Sequence, residues 1–249
     1  MRNIVFISYQ EPNAENNWLK LKERFPDAQR IQGVEGIHNA HRQAANLFYT
    51  PFLKTMISVA GKLQDCAGRN HFWVVDGDST VSEDFNFKLP EKLIKDGVYV
   101  YRAQNPINNL SYGYGGIKLL PIDQTINMNT NTVDMTTAIS KHFFPVDQIA
   151  STTNFNTDPF NTWKSAFREC VKLSSKVIEE QVDIETDQRL DAWCTIGEDQ
   201  PYGNFCIDGA IEGKAYGLAN RSNVDALKLI NDFSWLHNKF KEYDIQKNI

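Results

Sequence analysis

Residues 72–79 read Phe-Trp-Val-Val-Asp-Gly-Asp-Ser, four apolar side chains followed by two carboxylates one residue apart. A continuous apolar run favours a parallel strand covered on both faces, and ligands of open α/β sheets collect beyond the carboxyl ends of such strands. If strand alternation continues, Asp76 and Asp78 point to one side, and Gly77 lets a ligand come close. Such hard oxygen ligands suit Mg²⁺ or Mn²⁺. The stretch predicts a divalent-cation site at a sheet edge, with an Asp-rich turn as the alternative.

Strand and helix signals alternate in the residues that precede this stretch. The predicted order is a strand at 4–9, a helix at 14–25 capped by Asn13, a strand at 29–34, a helix after Gly36 with Ala40, Ala44, Leu47 and Phe48 on one face, a helix at 50–62 and the strand ending at Asp76. Because crossovers between such strands are right-handed, this order predicts an α/β fold with a largely parallel sheet.

The second half of the chain carries fewer signals. Residues 123–160 are rich in Asn, Thr and Asp and predict no definite element. The remaining predictions are a strand at 97–102, a Gly- and aromatic-rich loop at 111–118 entering a strand that Pro121 ends, a helix at 161–175, an acidic helix over 176–196, a polar loop at 197–203 and a final helix capped by Ser222. The C-terminal part is therefore expected to be helical.

The helix at 161–175 has a basic stripe beside its apolar face. Lys164, Arg168 and Lys172 recur at a spacing of four. Such a stripe is either a solvated edge whose aliphatic stems cover the core, or a surface that contacts a phosphate-bearing acceptor. Net charge does not decide between them, because residues 173–220 carry 10 acidic and 3 basic side chains, which leaves 23 basic and 21 acidic elsewhere.

Composition indicates an ordinary soluble globular protein. With 249 residues, 41% of them hydrophobic and 23% charged, the chain can bury a substantial core. It has neither an apolar run of 18 residues nor a basic-then-apolar leader, so a cytoplasmic protein with no membrane partner is expected. The cysteines lack C-x-x-C spacing, which predicts reduced, mostly buried thiols rather than a zinc site: Cys66, Cys170, Cys194 and Cys206.

The strand–helix units, the two aspartates and the Gly-Gly loop, taken in this order, resemble the GT-A class of nucleotide-sugar glycosyltransferases. Three stretches are similar, more narrowly, to tailed-phage members of that class that act on hypermodified DNA. They are YQEPN at 9–13, FPDAQRIQGVEGIH at 25–38 and FNTDPF at 155–160. The resemblance covers residues 3–120 and a local motif at 155–172.

The resemblance implies a GT-A-like, Rossmann-type, mostly parallel sheet flanked by helices, in a single domain over 1–249. Residues 1–120 would be the nucleotide-sugar-binding half, and 121–249 the acceptor-side and helical C-terminal half. The implied activity is metal-dependent transfer of a sugar, arabinose or glucose, from a nucleotide diphosphate sugar to an acceptor hydroxyl. The implied acceptor is hydroxymethylcytosine in double-stranded phage DNA, which places a phage-encoded chain in the host cytoplasm.

In this reading the donor lies over the carboxyl ends of the first strands. Asp78 would hold an Mn²⁺ or Mg²⁺ ion that bridges the diphosphate, and Asp76 would contact the ribose or reach the ion through water. Tyr9 and Glu11 would hold the base and ribose, and Arg30 would support them or contact phosphate. The full set expected to bind the donor is Tyr9, Glu11, Arg30, His41, Asp76, Gly115 and Gly116.

Several of the expected site residues have structural alternatives: Tyr9 and Arg30 as structural residues, and Gly115 and Gly116 as an ordinary tight turn. His41, like His38, is expected in the first turn of a helix, where free N–H groups favour anions; a helix-capping or solvent role is the alternative. His237 would complete the metal shell, unless it lies at the edge of a packed helix face. Asp199, in an acidic and glycine-flanked loop, is the candidate base that deprotonates the acceptor hydroxyl, or part of an acidic surface turn.

Two other functions fit parts of the sequence. Residues 76–81 match D-x-D-x-T-V, the nucleophile motif of haloacid-dehalogenase-type phosphatases, in which the first Asp is phosphorylated. That motif usually lies near the N-terminus, whereas about 75 residues precede it here. A non-catalytic nucleotide- or DNA-binding module with the same fold is the other alternative. Release of phosphate from a phosphomonoester distinguishes the phosphatase from the transferase.

Overall fold

The apolar run forms β3 (His71–Asp76), a central strand of the sheet, in a computed structural model that describes residues 2–49, 70–112, 115–177 and 182–247. The described residues form two compact units. The first unit falls within Met1–Gln104, Ser111–Thr130 and Met135–Thr153, and the second within Asn105–Leu110, Asn131–Asp134 and Asn154–Ile249. The helix predicted at 50–62, Cys66 and part of the 111–118 loop lie outside the described residues. The prediction of a single domain divided at residue 120 stays a prediction.

The first unit contains the whole sheet and four helices among its described residues. Its strands are β1 (Ile4–Ser8), β2 (Gln29–Gln32), β3, β4 (Ser79–Val81), β5 (Val98–Gln104), β6 (Ser111–Tyr112), β7 (Ile117–Pro121) and β8 (Phe143–Thr153). Its helices are α1 (Ala14–Arg24), α2 (Ile37–Asn46), α3 (Ile122–Ile126) and α4 (Met135–Ile139).

The sheet has the strand order β2-β1-β3-β7-β5-β8-β4, with β6 paired to β5. Strands β1, β2 and β3 are parallel, whereas β7 runs antiparallel to both of its neighbours, β3 and β5. Because β8 is parallel to β5, five of the eight described strands point in the same direction. The predicted α/β class and its mostly parallel sheet are confirmed.

Successive residues of β3 enter two different cores, which explains the continuous apolar run. Trp73 and Val75 join the core under α1, together with Phe85 and Phe87. Phe72 and Val74 join the core on the opposite face, where α2 contributes Ala44 and Ala45. Because β3 is covered on both faces, residues 72–75 are all apolar, and the polar residues lie at its two ends, His71 and Asp76.

Several local predictions for the first unit need correction. Asn13 stands at the N-cap position of α1 but makes no capping hydrogen bond with its side chain. Leu47 lies beyond the end of α2 and is 43% exposed, so it does not belong to the buried face. Residues 123–160, for which no element was predicted, contain most of α3, all of α4 and the long strand β8. Pro145, Asp147 and a register shift interrupt the pattern of β8, which hides it from periodicity.

The second unit is helical, as predicted. Its helices are α5 (Pro159–Ser175), α6 (Asp183–Thr195), α7 (Gly203–Ala219), α8 (Val224–Lys228) and α9 (Phe233–Lys247), with a 3₁₀ turn at Leu229–Asn231. Asp158 caps α5 by accepting the Asn161 N–H at 2.8 Å. The cap of α8 is Asn223 rather than Ser222, because the Asn223 side chain accepts the Ala226 N–H. In the described part of the chain, no helix has the length and apolar character that a membrane crossing requires.

Three cysteines of the second unit differ in environment. Cys170 and Cys206 are buried, whereas Cys194 is partly exposed. Burial raises the pKa of Cys206 to about 12, and it also raises the pKa of Cys170. A hydrogen bond with the Cys170 thiol lowers the pKa of Cys194 to about 7. The expectation of mostly buried thiols therefore holds for two of the three, and Cys194 is expected to react faster than the other two.

Iodoacetamide is expected to modify Cys194 at least roughly tenfold faster than Cys170 or Cys206 in the folded protein. At pH 7 about half of the Cys194 thiol is ionised, and its rate should fall by roughly tenfold per pH unit well below that value. Peptide mass spectrometry of a Cys66→Ser variant measures the three rates separately. Faster modification of Cys206 than of Cys194 would contradict the assignment.

Candidate functional site

Two acidic segments lie at the same edge of the sheet. Asp76 is the last residue of β3, and Asp78 follows two residues later; residues 76–78 are called the carboxylate turn below. Glu11 follows β1, the parallel neighbour of β3, by three residues. Because β1 and β3 end at the same edge, the structure brings Glu11 to the carboxylate turn.

Glu11 packs directly against the middle of the carboxylate turn. A Cβ added at Gly77 would lie 2.7 Å from Glu11 Oε2 and 3.0 Å from Ser8 Cβ, so a larger residue at this position would displace the Glu11 side chain. The Tyr9 backbone N–H donates to Glu11 Oε2 at 2.8 Å. The segment that follows β1 therefore fixes Glu11, and Gly77 allows it to approach the backbone of the turn closely.

Asn17, which the sequence analysis did not single out, fixes the backbone of the carboxylate turn. This buried residue of α1 donates from Nδ2 to the Gly77 carbonyl oxygen at 3.0 Å and accepts from the Thr80 hydroxyl at 3.1 Å. Its position, three residues after Ala14 and four before Leu21, interrupts the apolar stripe of α1. An amide inside such a stripe is the sequence signal that could have identified it.

The Gly-Gly loop contacts the carboxylate turn through its backbone. The Asp76 N–H donates to the Gly116 carbonyl oxygen at 2.9 Å. Gly115 has a φ of +81°, a left-handed conformation that favours glycine. The two motifs that the sequence identified separately, about 40 residues apart, therefore form one structure.

Lys118 is the main residue of the site that the sequence analysis missed. Its Nζ lies 2.8 Å from both carboxylate oxygens of Asp76 and also donates to the Gly115 carbonyl oxygen. The Lys118 side chain is 3% exposed, compared with 32% for Asp76. A lysine in the otherwise apolar strand Ile-Lys-Leu-Leu-Pro was the available signal, because a lysine is almost never fully buried unless it is paired.

Asp78, the second carboxylate of the turn, could hold a divalent cation. It is half-buried, and the Ser79 hydroxyl donates to its Oδ1 at 3.4 Å; Asp76 is ion-paired with Lys118. Across the described ranges, no group of three or more His, Cys, Asp or Glu side chains could hold a metal. Because Mg²⁺ usually takes one or two carboxylates together with water and phosphates, Asp78 fits an ion that arrives with a phosphate-bearing substrate.

Arg30 is held by the protein itself. Its Nε donates to the Ser8 hydroxyl at 3.2 Å, and its NH1 forms an ion pair with Glu15 at 2.5 Å. The guanidinium also lies over the Phe6 and Trp18 rings. These contacts tie Arg30 to the end of β1 and to α1, and its two predicted roles, as a support of Tyr9 and Glu11 or as a phosphate contact, stay predictions.

His41 lies in the second turn of α2, so the prediction that it lies in the first turn is wrong. Its Nδ1 lies 2.8 Å from the Ile37 carbonyl oxygen and therefore carries the proton, which leaves Nε2 as an acceptor. Burial, with the Lys118 charge nearby, lowers the pKa of His41 to about 3. The ring is therefore neutral and suits a hydrogen-bond donor better than an anion.

Asp199 and His237 belong to the second unit, and each has a local partner there. Asp199 is exposed in the turn between α6 and α7, and the Gln200 side chain donates to it. His237 is exposed on α9, stacks on Phe160 with a centroid distance of 3.7 Å, and places Nδ1 2.9 Å from the Phe233 carbonyl oxygen. Their roles as base and metal ligand stay predictions.

The basic stripe of α5 makes contacts within its own unit. Arg168 donates to the Ile230 carbonyl and to Asn231, and Lys172 forms an ion pair with Asp134. Lys164 lies over the Phe160 and Phe233 rings. These contacts support the first of the two alternatives, in which the stripe packs around the core.

Replacement of Gly116 by Ala is expected to destabilise the protein by about 1–3 kcal/mol, the usual cost of overpacking. The added Cβ would lie 2.5 Å from the Ser79 Oγ and 3.2–3.3 Å from the Thr153 and Ser151 hydroxyl oxygens. Urea unfolding measures the change. In a Ser79→Ala background, which removes the closest atom, Gly116→Ala should cost clearly less. An equal cost in both backgrounds would show that this contact is not the cause.

No family model matches the sequence, and no curated protein matches it. Among solved structures, the crystal structure of a glycosyltransferase involved in the glycosylation of the major capsid of PBCV-1 is similar, with 10% sequence identity and a TM-score of 0.33. The alignment covers 58% of this chain and 81% of that chain.

Proposed function

We propose that the chain is a metal-dependent glycosyltransferase that binds a nucleotide diphosphate sugar at the carboxylate turn and transfers the sugar to an acceptor hydroxyl. One observation carries the proposal: Glu11, Asp76, Asp78 and the Gly115–Gly116 backbone converge at the carboxyl ends of β1 and β3. Ligands of open α/β sheets bind at this edge. A carboxylate held beside a glycine loop suits a diphosphate and its cation.

The residues at this edge of the sheet would have three roles in the proposed reaction: holding the cation, binding the ribose and keeping the turn in place. Asp78 would hold the cation, and a bound Mn²⁺ or Mg²⁺ would supply stabilisation of the negative charge that develops on the departing nucleoside diphosphate. Glu11 and Asp76 would accept hydrogen bonds from ribose hydroxyls. Asn17 and Gly116 would keep the turn in one conformation, so that little reorganisation is needed when the donor binds.

The proposed acceptor is hydroxymethylcytosine in double-stranded DNA, and the sugar is arabinose or glucose. The similarity of residues 9–13, 25–38 and 155–160 to phage DNA-modifying enzymes supports this acceptor. The basic stripe of α5 adds no support, because its cations make contacts within the second unit. Asp199 is the proposed base that deprotonates the acceptor hydroxyl.

The test is a screen of nucleotide sugars with Mn²⁺ or Mg²⁺, with and without hydroxymethylcytosine-containing DNA, read by mass spectrometry. A hexose or pentose increment on the DNA supports the full proposal, and metal-dependent hydrolysis of one donor supports its first half. Phosphate release from p-nitrophenyl phosphate with no activity on any donor would favour the phosphatase instead. Nucleotide binding without turnover of any donor would indicate a binding module.

A further inference from the structure

Lys118 places a positive charge inside the sheet, next to the proposed donor site. It lies on β7 opposite Val74 of β3 and Val100 of β5, both of which are buried apolar residues. A buried ammonium in such surroundings requires a counter-charge and hydrogen-bond acceptors. The Asp76 carboxylate provides the counter-charge, and its two oxygens and the Gly115 carbonyl oxygen accept the hydrogen bonds.

The contacts of Lys118 occupy the first aspartate of the D-x-D motif. Both oxygens of Asp76 lie within hydrogen-bonding distance of the same ammonium. A divalent cation that bound Asp76 directly would be repelled by Lys118 at close range, in surroundings that screen charge poorly. Displacing the ammonium would leave it buried without its counter-charge.

We infer that Lys118 is a positioning residue that serves as a built-in counter-ion of Asp76 and directs the divalent cation to Asp78. This inference rests on the proposed function only for the presence of a cation at this edge. Asp76 keeps acceptor capacity, since an ionised carboxylate has about four lone-pair sites and Lys118 uses two. Lys118 also links Asp76 to the Gly115 backbone, because the same ammonium donates to the Gly115 carbonyl oxygen.

The test is a Mn²⁺ titration of the full chain by electron paramagnetic resonance, with and without inorganic pyrophosphate, because the ion is expected to arrive with a phosphate-bearing substrate. Lys118→Met is expected to bind Mn²⁺ on the order of tenfold more tightly than the wild type, because Asp76 then adds an uncompensated charge beside Asp78. Lys118→Arg, which keeps the positive charge, should bind Mn²⁺ as the wild type does. Asp78→Asn should weaken binding on the order of tenfold or more in every background.

Unchanged or weaker Mn²⁺ binding by a folded Lys118→Met variant would overturn the inference. A purely structural lysine would change the melting temperature without tightening Mn²⁺ binding. If Lys118→Met does not fold, the neutral pair Asp76→Asn/Lys118→Met replaces it. That pair should bind Mn²⁺ as the wild type does, and a large loss would contradict a cation held by Asp78.

The titration is independent of sugar transfer, so the two proposals can fail separately. A chain that turns over no nucleotide sugar but shows the expected order of Mn²⁺ affinities would retain the counter-ion role of Lys118. A chain that transfers sugar but binds Mn²⁺ equally well with and without Lys118 would retain the function and lose this inference.

Discussion

Asp78→Asn is expected to reduce sugar transfer by a factor on the order of 10²–10³, the usual cost of losing one group that stabilises charge in a transition state. The physical reason is that Asp78 is the carboxylate of the turn that is not ion-paired with Lys118 and therefore carries the cation in our proposal. The substitution keeps the size of the side chain and its contact with Ser79. The measurement is the transfer rate at saturating donor and metal.

The fold should survive the Asp78→Asn substitution. Asp78 is half-buried, so removing its charge should change the free energy of unfolding by less than about 1 kcal/mol. Circular dichroism and thermal unfolding measure this. Asp84→Asn is the matched control, because Asp84 is exposed, lies in the same unit and is outside the carboxylate turn. Transfer that persists in Asp78→Asn, or falls equally in Asp84→Asn, would remove Asp78 from the site.

Gly213→Ala is expected to destabilise the second unit by about 3 kcal/mol or more, which corresponds to a fall in melting temperature of roughly 6–12 °C. Helix α7 lies against the backbone of α5 along Gly209, Gly213 and Gly217. A Cβ at Gly213 would lie 2.3 Å from the Phe167 carbonyl oxygen. The same addition at Gly209 would meet the Trp163 carbonyl at 2.4 Å. Backbone atoms cannot move aside as a flexible side chain can.

The sign of the Gly213→Ala effect makes the experiment decisive. In an ordinary helix interior, replacing Gly by Ala stabilises by about 0.5–1 kcal/mol. Ala215→Gly, two residues away on the exposed side of α7, is the control and should cost about that amount. Urea unfolding followed by tryptophan fluorescence measures both. A Gly213→Ala variant as stable as the wild type would mean that the two helices do not approach as closely as described.

The sequence shows three regularly spaced glycines in α7, but it does not show which element packs against them. Gly209, Gly213 and Gly217 recur every four residues, a spacing that places them on one helical face. That spacing indicates a helical face without side chains at these positions. It does not identify the helix that packs against this face. The partner positions on α5, near Trp163, Phe167 and Val171, become known only from the packed structure.

The strands of the sheet also fall into two groups, those that the sequence predicts and those that the structure alone reveals. Apolar runs and helical spacing predicted β1, β2, β3, α1 and α2, because those elements have one simple pattern each. β8 was missed because Pro145, exposed polar residues and a register shift break its alternation. The antiparallel direction of β7 also carries no local signal, since direction is set by the connection between strands.

For the site, the sequence by itself determined the residue types and the strand end at which they lie: two aspartates after a buried strand, a glycine pair and a glutamate after the first strand. The tertiary structure decided how they are joined. Lys118 is 42 residues from Asp76, and Asn17 is 60 residues from Gly77. Periodicity and turn chemistry reflect interactions between residues close in the chain, whereas a buried ion pair depends on which strands and helices become neighbours. The ion pair between Asp76 and Lys118 therefore appears only when β7 lies beside β3.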